Sequence, residues 1–283
     1  MKILGIAIMK NEADIVRTFL EHSSHWADRI FVYDNGSTDG TWQIVQSMQS
    51  EIIVPWKSED IPFHNNLRAR VFNAFRHEAE EGDWWCYRMD ADELYVDDPR
   101  AFLAAVPRQY HTVYRKSINY QVTREDVDEH RFSGDFAQDQ PLIRYFQPRG
   151  GVERRFIKHR RNLVWNEKSG TVYTGITYPH MILARHYRWR SPQQIQGRLE
   201  NRREFKLRKA ARKGREDRLT RHQTTRQPDN WRSLCPPRSK MILDTGLDSW
   251  NKLRWPESKI KRVTENRLSY SLKRLLHGLR ILR

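Results

Sequence analysis

The sequence predicts an α/β fold in which a mostly parallel, open sheet is flanked by helices. Four apolar runs of strand length occur in the first hundred residues, and segments with apolar residues at helical spacing follow them. Polar and acidic residues come directly after two of these runs. In open α/β sheets that is the edge at which ligands bind. At 283 residues and 38% hydrophobic content, the chain can bury a sizeable core.

The first two strand–helix units carry the polar turns. A strand over 2–9 precedes a helix from about 11 to 25, and Asn11 with Asp14 fits an N-cap of that helix as well as a ligand contact. A second strand, 29–35, runs into the letters "DNGSTDG". Asn-Gly is a hairpin signal, but the helical spacing over 41–50 predicts a strand–turn–helix unit instead.

The elements after residue 50 are predicted from less regular patterns of apolar residues. A third strand at 51–56 precedes a long helix over 65–81, and a fourth strand at 84–89 runs into "DADE". Another strand is expected at 110–122, followed over 123–185 by acceptor-side loops and a few antiparallel strands. From Ser191 the chain predicts a charged helix with too few apolar positions for a core helix. The fold therefore carries a basic, mainly helical C-terminal extension.

Two nucleotide-binding fingerprints are missing from this pattern. No Gly-x-Gly-x-x-Gly follows the first strand, and the sequence has no Walker lysine loop. The two cysteines, Cys86 and Cys235, cannot build a disulfide framework, and no segment approaches the length of a spanning helix. These features predict a cytoplasmic protein.

The net charge of +16 is unevenly distributed along the chain. Residues 1–100 carry 10 lysines and arginines against 18 aspartates and glutamates, whereas residues 151–283 carry 34 against 11. An acidic front and a basic back predict two separate roles. A basic tract favours nucleic acid, an anionic membrane or a phosphorylated substrate, and charge alone does not choose among them.

Carboxylates stand at the ends of two predicted strands. Asp34 ends the second strand, where a ligand role and plain turn chemistry are both open. Asp90 and Asp92 follow the fourth strand, and residues two apart in extended backbone face the same way. Two such carboxylates repel each other unless a hard cation such as Mg²⁺ or Mn²⁺ binds between them, so a metal site competes with a solvated acidic turn.

Three segments taken together resemble a known family. The segments "IAIMKNEADIVRTFLEH", "VYDNGSTDGT" and "MDADE", in this order, resemble family 2 glycosyltransferases of the GT-A fold over roughly residues 1–120. The D-x-D-E form, with Glu93 and an apolar residue after it, resembles a bacterial subgroup that builds surface polysaccharide or lipopolysaccharide. The resemblance implies a catalytic domain over 1–190, with the basic extension at 191–283.

The resemblance also implies roles for individual residues. Metal ligands are expected at Asp90, Asp92 and His186, the last within "ARHYRWRS", where a structural histidine is the alternative. His180 is a weaker candidate. Contacts to the nucleotide-sugar are expected at positions on both sides of the first strand end, at the second strand end, in the long helix and at the acidic motif. These positions are Ile8, Asn11, Glu12, Asp34, Arg70, Asp90 and Ala91.

The general base is the least determined residue. Family 2 enzymes generally invert the anomeric carbon, so a carboxylate should deprotonate the acceptor hydroxyl. Asp135 is favoured slightly, and Asp139, Glu153 and Glu167 remain open as alternatives. In the long helix, Arg68 and Asn73 occupy phosphate-facing positions of the family, although a solvated helix face is the stronger interpretation for each.

The expected enzyme is a metal-dependent, inverting glycosyltransferase of the hexosyltransferase type. Its donor would be a nucleotide-sugar, with a UDP-sugar favoured, and its acceptor a glycan or lipid-linked glycan. Residues 267–283 place leucines on one helical face and basic residues on the other, so they predict either contact with an anionic membrane or a packed terminal helix. A nucleotidyltransferase and a nucleic-acid-binding protein are the alternatives, and no recognised nucleic-acid motif supports the latter.

Overall fold

The computed structural model describes residues 1–64, 66–168, 171–172, 175–211 and 230–253, together with Leu275. Contacts divide the chain into two compact units. The first unit contains Met1–Ile118 and Gly150–His186, and the second contains Asn119–Arg149 and Tyr187–Leu253. The expected division into a catalytic part over 1–190 and an extension over 191–283 stays a prediction.

Strands and helices alternate through the first half of the chain. The strands are β1 (Ile3–Met9), β2 (Arg29–Asp34), β3 (Ile53–Ser58), β4 (Trp84–Met89), β5 (Glu93–Tyr95), β6 (Thr112–Gln121), β7 (Tyr145–Phe146), β8 (Val152–Lys158), β9 (Trp165–Asn166), β10 (Thr171–Val172), β11 (Thr177–Trp189) and β12 (Ile242–Leu243). The α-helices are α1 (Val16–Ser24), α2 (Thr41–Ser47), α3 (Asn66–Phe75), α4 (Pro99–Ala104), α5 (Arg124–Glu129), α6 (Phe136–Asp139), α7 (Pro192–Ala211) and α8 (Leu247–Trp250). Short 3-10 turns cover Arg76–Glu78, Gln140–Leu142, Trp231–Leu234 and Arg238–Lys240.

The sheet of the first unit has a parallel half and an antiparallel half. Strands β3, β2, β1 and β4 lie side by side in this order and run parallel. Strand β8 pairs antiparallel with β4, and β6 pairs antiparallel with β8, while β11 runs antiparallel to β5. This mixed α/β architecture, a largely parallel sheet flanked by helices, confirms the predicted fold class.

The parallel half is buried on both faces, as its apolar strands predict. All seven residues of β1 are buried, and Phe31, Phe72 and Trp85 pack in the same core cluster. Gly5 in β1 has a packing reason: a Cβ there would stand 2.1 Å from the sulfur of Met89 on β4. Any larger residue at position 5 would therefore force the Met89 side chain to move.

Several element boundaries differ from the predicted ones. Helix α1 begins at Val16 rather than near Asn11, because Asn11 has a φ of 55° and left-handed backbone cannot continue into a helix. Its N-cap residue is Ile15, which makes no side-chain cap, so the predicted cap by Asn11 and Asp14 is wrong. Helix α3 ends at Phe75, and β3 begins two residues late, after a turn closed by the Ser50 hydroxyl.

The second unit has its own small core. Phe146 of β7 pairs with Tyr120 at the end of β6, and β12 pairs with β7. Ile195 and Leu199 of α7 are buried, and Ile195 packs in a cluster with Trp189 and Cys235. The prediction that this helix has too few apolar residues to join a core is therefore wrong for its first two turns.

The prediction for the C-terminus lies almost wholly outside the described residues. Of residues 267–283 only Leu275 is described, and it is exposed. Among the residues that the structure describes, no helix has both the length and the apolar character needed to cross a bilayer. Both cysteines are buried thiols.

Candidate active site

The ends of β1 and β2 meet at one edge of the sheet. Their register pairs Ile8 with Tyr33 and Met9 with Asp34, so Ile8 lies beside the end of β2. Strand β4 lies on the other side of β1 and ends at Met89, directly before Asp90. Because the strand order reverses direction at β1, this edge has the position where open α/β sheets bind ligands.

The loops after β1 and β2 are tied to each other. The Asn11 N–H donates to the Ser37 hydroxyl at 2.9 Å, and the Thr38 N–H donates to Asn11 Oδ1 at 2.8 Å. The Glu12 N–H donates to Thr41 Oγ1 at 2.9 Å, and the Ala13 N–H donates to an Asp39 carboxylate oxygen at 3.0 Å. Asn11 therefore joins two loops instead of capping a helix, which explains why its strained backbone is tolerated.

Asp34 is fully buried and its carboxylate is engaged within the protein. It accepts hydrogen bonds from the N–H groups of Gly36 and Ser37 at 3.1 and 3.0 Å, from the Ser58 hydroxyl at 2.6 Å, and from the Ser37 hydroxyl. Three of these bonds converge on Oδ2, and Oδ1 accepts only the one from the Ser37 hydroxyl. The geometry is that of turn chemistry, and the ligand role of Asp34 stays a prediction.

Asn35, which the sequence interpretation did not single out, has an open acceptor. Its amide nitrogen donates to the carbonyls of Ile61 and Glu59. Its Oδ1 is buried and has no hydrogen-bond partner. Leaving such an acceptor unpaired costs about 1–3 kcal/mol, so Asn35 is a candidate for pairing with a donor group of a ligand. Its place directly after Asp34 was the only sequence signal.

Arg70 lies in a polar group beside these loops. Its Nη1 donates to Glu59 Oε2 at 3.1 Å, and the Tyr33 hydroxyl donates to the same oxygen at 2.6 Å. Burial and the hydrogen bond to Glu59 raise the pKa of Tyr33, while that hydrogen bond lowers the pKa of Glu59. Glu59 is therefore held as a carboxylate that fixes Arg70.

Asp90 is surrounded by arginines. Arg155 Nη2 donates to Asp90 Oδ2 at 2.9 Å, Arg68 Nη2 lies 3.5 Å from Oδ1, and Arg88 Nε lies 3.9 Å from Oδ2. Burial raises the pKa of Asp90, but the positive charges of the three arginines outweigh it and hold the pKa below its ordinary value. Asp90 is therefore an anion in the folded protein, and the neighbouring Ala91 is buried.

Glu93 and Glu153 extend this charged group. Glu93 is buried and accepts from Arg155 Nε at 3.0 Å, from Arg155 Nη2 at 2.6 Å and from Arg115. Glu153 accepts from Arg88 at 2.6 Å and from Arg115 at 3.1 Å. Ligand atoms of Asp90, Glu93 and Glu153 all lie within 4.8 Å of one another, as a metal site requires. Glu93 is thus an interior ion-pair partner, a role that the sequence did not indicate.

Asp92 and His186, two predicted metal ligands, are brought together. Strand pairing sets His186 opposite Glu93, and His186 Nε2 lies 3.4 Å from Asp92 Oδ2. Neighbouring ligands of an octahedral ion are roughly 3 Å apart, because each bond is about 2.1 Å long. The 3.4 Å separation is thus that of two ligands of one cation as well as that of an ion pair, and the metal role of both residues stays a prediction. The carboxylate of Asp90, the third predicted ligand, contacts arginine side chains instead.

The four candidate bases have different surroundings. Asp139 is buried and accepts three hydrogen bonds from Ser133 and Gly134, so its carboxylate is held by the protein itself. Asp135 is exposed at the start of α6 and accepts from the Ala137 N–H and the Gln138 side chain. Both belong to the second unit.

The other two candidates belong to the first unit. Glu153 pairs with three arginines, including Arg155 at 3.0 Å. Glu167 accepts from the Asn73 amide at 2.9 Å, so Asn73 faces a loop of the protein. Arg68 is buried against Asp90 rather than on a solvated face, which corrects the expectation for that residue. The weaker candidate His180 is exposed and contacts the Tyr178 ring.

Comparison with known proteins gives a family match over part of the chain. Residues 6–126 match the family model described as glycosyl transferase family 2. The matched segment includes Asp34, Asp90 and Asp92, and the α/β architecture is consistent with the GT-A fold. The match supports a glycosyltransferase. No curated protein matches the sequence.

A solved structure shows a limited similarity. It is S. aureus TarS 1–349 in complex with UDP, with 19% sequence identity and a TM-score of 0.29. The similarity covers 43% of this chain and 36% of that chain, so the matched part spans little more than a third of TarS 1–349.

Proposed function

We propose that the protein is a metal-dependent, inverting glycosyltransferase that moves a sugar from a nucleotide-sugar to a glycan or lipid-linked glycan acceptor. One observation carries the proposal. The Asp90–Asp92 motif directly follows β4, which lies beside β1, within the segment that matches glycosyl transferase family 2. A UDP-sugar is the donor to test first.

The donor would lie against the loops after β1 and β2. The bonds that tie Asn11 to Ser37 and Thr38 support a preformed edge there. Asp34 would act on the nucleoside through the loop that it orders, or directly after exchanging one of its four hydrogen bonds. The buried, unpartnered Oδ1 of Asn35 supports recognition of a donor group on the nucleoside.

A Mn²⁺ or Mg²⁺ ion would be held by Asp92 and His186, with Asp90 beside them. The 3.4 Å distance between His186 Nε2 and Asp92 Oδ2 supports this pair. When bound, the ion would stabilise the charge that develops on the departing nucleoside diphosphate. Carboxylate oxygens are ligands that these ions prefer, and His186 would have to bind as neutral imidazole.

The acceptor hydroxyl would lose its proton to a carboxylate as the sugar is displaced in line. We keep Asp135 as the first candidate because it is exposed and accepts only two hydrogen bonds. Glu167 is the next candidate for the same reason. The arginines around Glu153 and the three hydrogen bonds to Asp139 engage their carboxylate oxygens, which leaves both less accessible to an acceptor hydroxyl.

The basic C-terminal part supports the proposed acceptor and its location. An enzyme acting on a lipid-linked glycan needs to reach a membrane, and the leucine and basic faces of residues 267–283 would supply that contact. The protein would then act in the cytoplasm, at the inner face of the plasma membrane. The bacterial lipopolysaccharide or surface-polysaccharide setting belongs to this same proposal.

A thermal-shift screen tests the class of enzyme, the nucleotide-sugar donor and the metal requirement together. UDP-, GDP- and CMP-linked sugars are added with and without Mn²⁺, and Asp92→Asn serves as the control variant. We expect at least one nucleotide-sugar to raise the Tm of the wild type in a Mn²⁺-dependent way. Absence of any shift, together with salt-sensitive retention on DNA, would replace the proposal with a nucleic-acid-binding protein.

A further inference from the structure

Arg155 occupies the centre of the charged group beside Asp90. Its side chain is fully buried in β8, and its Nη2 lies 2.9 Å from Asp90, 2.6 Å from Glu93 and 3.0 Å from Glu153. Its Nε donates a second hydrogen bond to Glu93 at 3.0 Å, so the guanidinium binds the Glu93 carboxylate through two nitrogens. A single side chain thereby touches all three carboxylates of the one group of three or more metal-ligating side chains that the described residues bring together.

A local irregularity of β8 accompanies this position. Strand β6 pairs Val113 with Phe156 and Tyr114 with Arg154, so Arg155 is an extra residue without a partner on β6. Such a β-bulge turns the side chain of the extra residue away from the regular alternation of the strand. The neighbouring Arg154 keeps a partner on β6, since it pairs with Tyr114 and its Nη2 donates to the Tyr114 hydroxyl at 3.2 Å.

Charge balance argues against a cation in this set of carboxylates. The three carboxylates are contacted by four guanidinium groups, those of Arg68, Arg88, Arg115 and Arg155. The group therefore carries one positive charge in excess, with three of the arginines, Arg68, Arg115 and Arg155, almost completely buried. A divalent ion entering here would meet positive charge in a poorly solvated place, where repulsion is weakly screened.

We propose that Arg155 is an internal counter-ion that keeps divalent cations out of the Asp90–Glu93–Glu153 set and positions Asp90 at the donor edge. Glu93 anchors Arg155 through the two-point contact, and Arg155 in turn fixes Asp90 Oδ2. Arg155 is thus a positioning residue that acts through Asp90. The positioning part rests on the proposed function, whereas the exclusion of cations does not.

The exclusion is tested by Mn²⁺ binding without any donor or acceptor. Mn²⁺ is titrated into wild type, Arg155→Met and the control Arg154→Met, and free Mn²⁺ is followed by electron paramagnetic resonance. Removing Arg155 leaves three carboxylates with less positive charge, so we expect Arg155→Met to gain one Mn²⁺ per chain or to bind Mn²⁺ about tenfold more tightly. Arg154→Met should bind Mn²⁺ as the wild type does.

A triple change keeps the test decisive. Arg155→Met combined with Asp90→Asn and Glu153→Gln should lose the added Mn²⁺ binding, because the new ligands are gone. If Arg155→Met is folded by circular dichroism and its Mn²⁺ binding is unchanged or weaker, the proposal is wrong.

Should Arg155→Met fail to fold, Arg155→Lys takes its place, because lysine keeps the positive charge but lacks the planar set of donors of the guanidinium. Arg155→Lys should then bind Mn²⁺ as the wild type does, and a gained Mn²⁺ would overturn the proposal.

The positioning role has its own readout once transfer is measured. Arg155→Lys should raise the donor KM more than it lowers kcat, because Asp90 would be displaced at the donor edge. An equal loss in Arg155→Lys and Arg154→Met would contradict positioning. A protein that transfers no sugar would leave the Mn²⁺ result intact, so the two proposals fail separately.

Discussion

His186 Nε2 lies 3.4 Å from Asp92 Oδ2, at the place where β11 runs antiparallel to β5. The two residues are far apart in the sequence, and pairing of these strands sets His186 opposite Glu93, the residue after Asp92. The contact therefore depends on a long-range strand register. It brings two of the three predicted metal ligands together.

Replacing Asp92 or His186 should weaken Mn²⁺ binding. Asp92→Asn and His186→Ala each remove one ligand, and we expect the Mn²⁺ concentration that supports half-maximal transfer to rise at least about tenfold. The double variant should be little worse than either single variant, because both changes disrupt the same site. His180→Ala is the matched control, and wild-type Mn²⁺ dependence in His186→Ala would reduce His186 to a structural residue.

Asn11 should stabilise the protein through its side chain and also strain it through its backbone. Asn11→Ala loses the bond from the Thr38 N–H and keeps the left-handed φ, so it should lower the free energy of unfolding by about 2–3 kcal/mol. Asn11→Gly loses the same bond but relieves the strain, so its loss should be about 1 kcal/mol smaller. Urea denaturation measures both values, and equal losses would show that the left-handed backbone carries no cost.

Variants of Asp34 and Ser58 distinguish direct binding of the donor by the Asp34 carboxylate from an indirect effect through the loop that Asp34 orders. Asp34→Asn should raise the donor KM about tenfold if the carboxylate contacts the nucleoside. Ser58→Ala removes one bond to Asp34 but leaves the carboxylate, so it should lower the free energy of unfolding by roughly 1.5–3 kcal/mol with a small change in KM. If Ser58→Ala raises KM as much as Asp34→Asn does, Asp34 acts through the loop alone.

Acid should destabilise the strand that follows the acidic motif. The Tyr95 N–H donates to His22 Nε2 at 3.0 Å, which requires neutral imidazole. Burial, together with the charges of His25 and Arg185, lowers the pKa of His22 below its ordinary value of 6.5. The unfolded chain therefore binds a proton first, and stability falls as the pH drops from 6.5 through the lower pKa of the folded state.

The measurement compares wild type with His22→Gln, whose side-chain oxygen accepts a hydrogen bond at any pH in this range. Free energies of unfolding from urea titrations at pH 7.5 and pH 5.5 should differ more for the wild type than for His22→Gln. Equal differences would exclude His22 as a source of the pH dependence.

Deleting residues 267–283 should abolish binding to anionic vesicles and spare transfer to a soluble acceptor. Each basic residue near an anionic leaflet contributes about 1 kcal/mol, and the leucines would enter the interface. Co-sedimentation with phosphatidylserine vesicles measures binding, and neutral vesicles are the control. Continued co-sedimentation of the truncated protein, or its outright unfolding, would assign the leucines to another surface.

The sequence by itself determined the α/β class, the strand that precedes each acidic motif, and the carboxylates at the strand ends. These follow from local patterns, because the period of apolar residues separates strands from helices and polar residues mark where strands end. Strand β4 was predicted with its observed bounds for this reason. The family resemblance of residues 1–120 rests on the same local segments, and the match over 6–126 supports it.

The tertiary structure decided which charges meet. Asn11 fitted a helix cap by local spacing, but its backbone is left-handed and its side chain reaches the loop after β2. Arg155 lies in a segment without any sequence signal, and it contacts Asp90 because β8 pairs with β4 and carries a bulge at that residue. A bulge and a strand register are set by packing between distant segments, so the pattern of one segment cannot specify them.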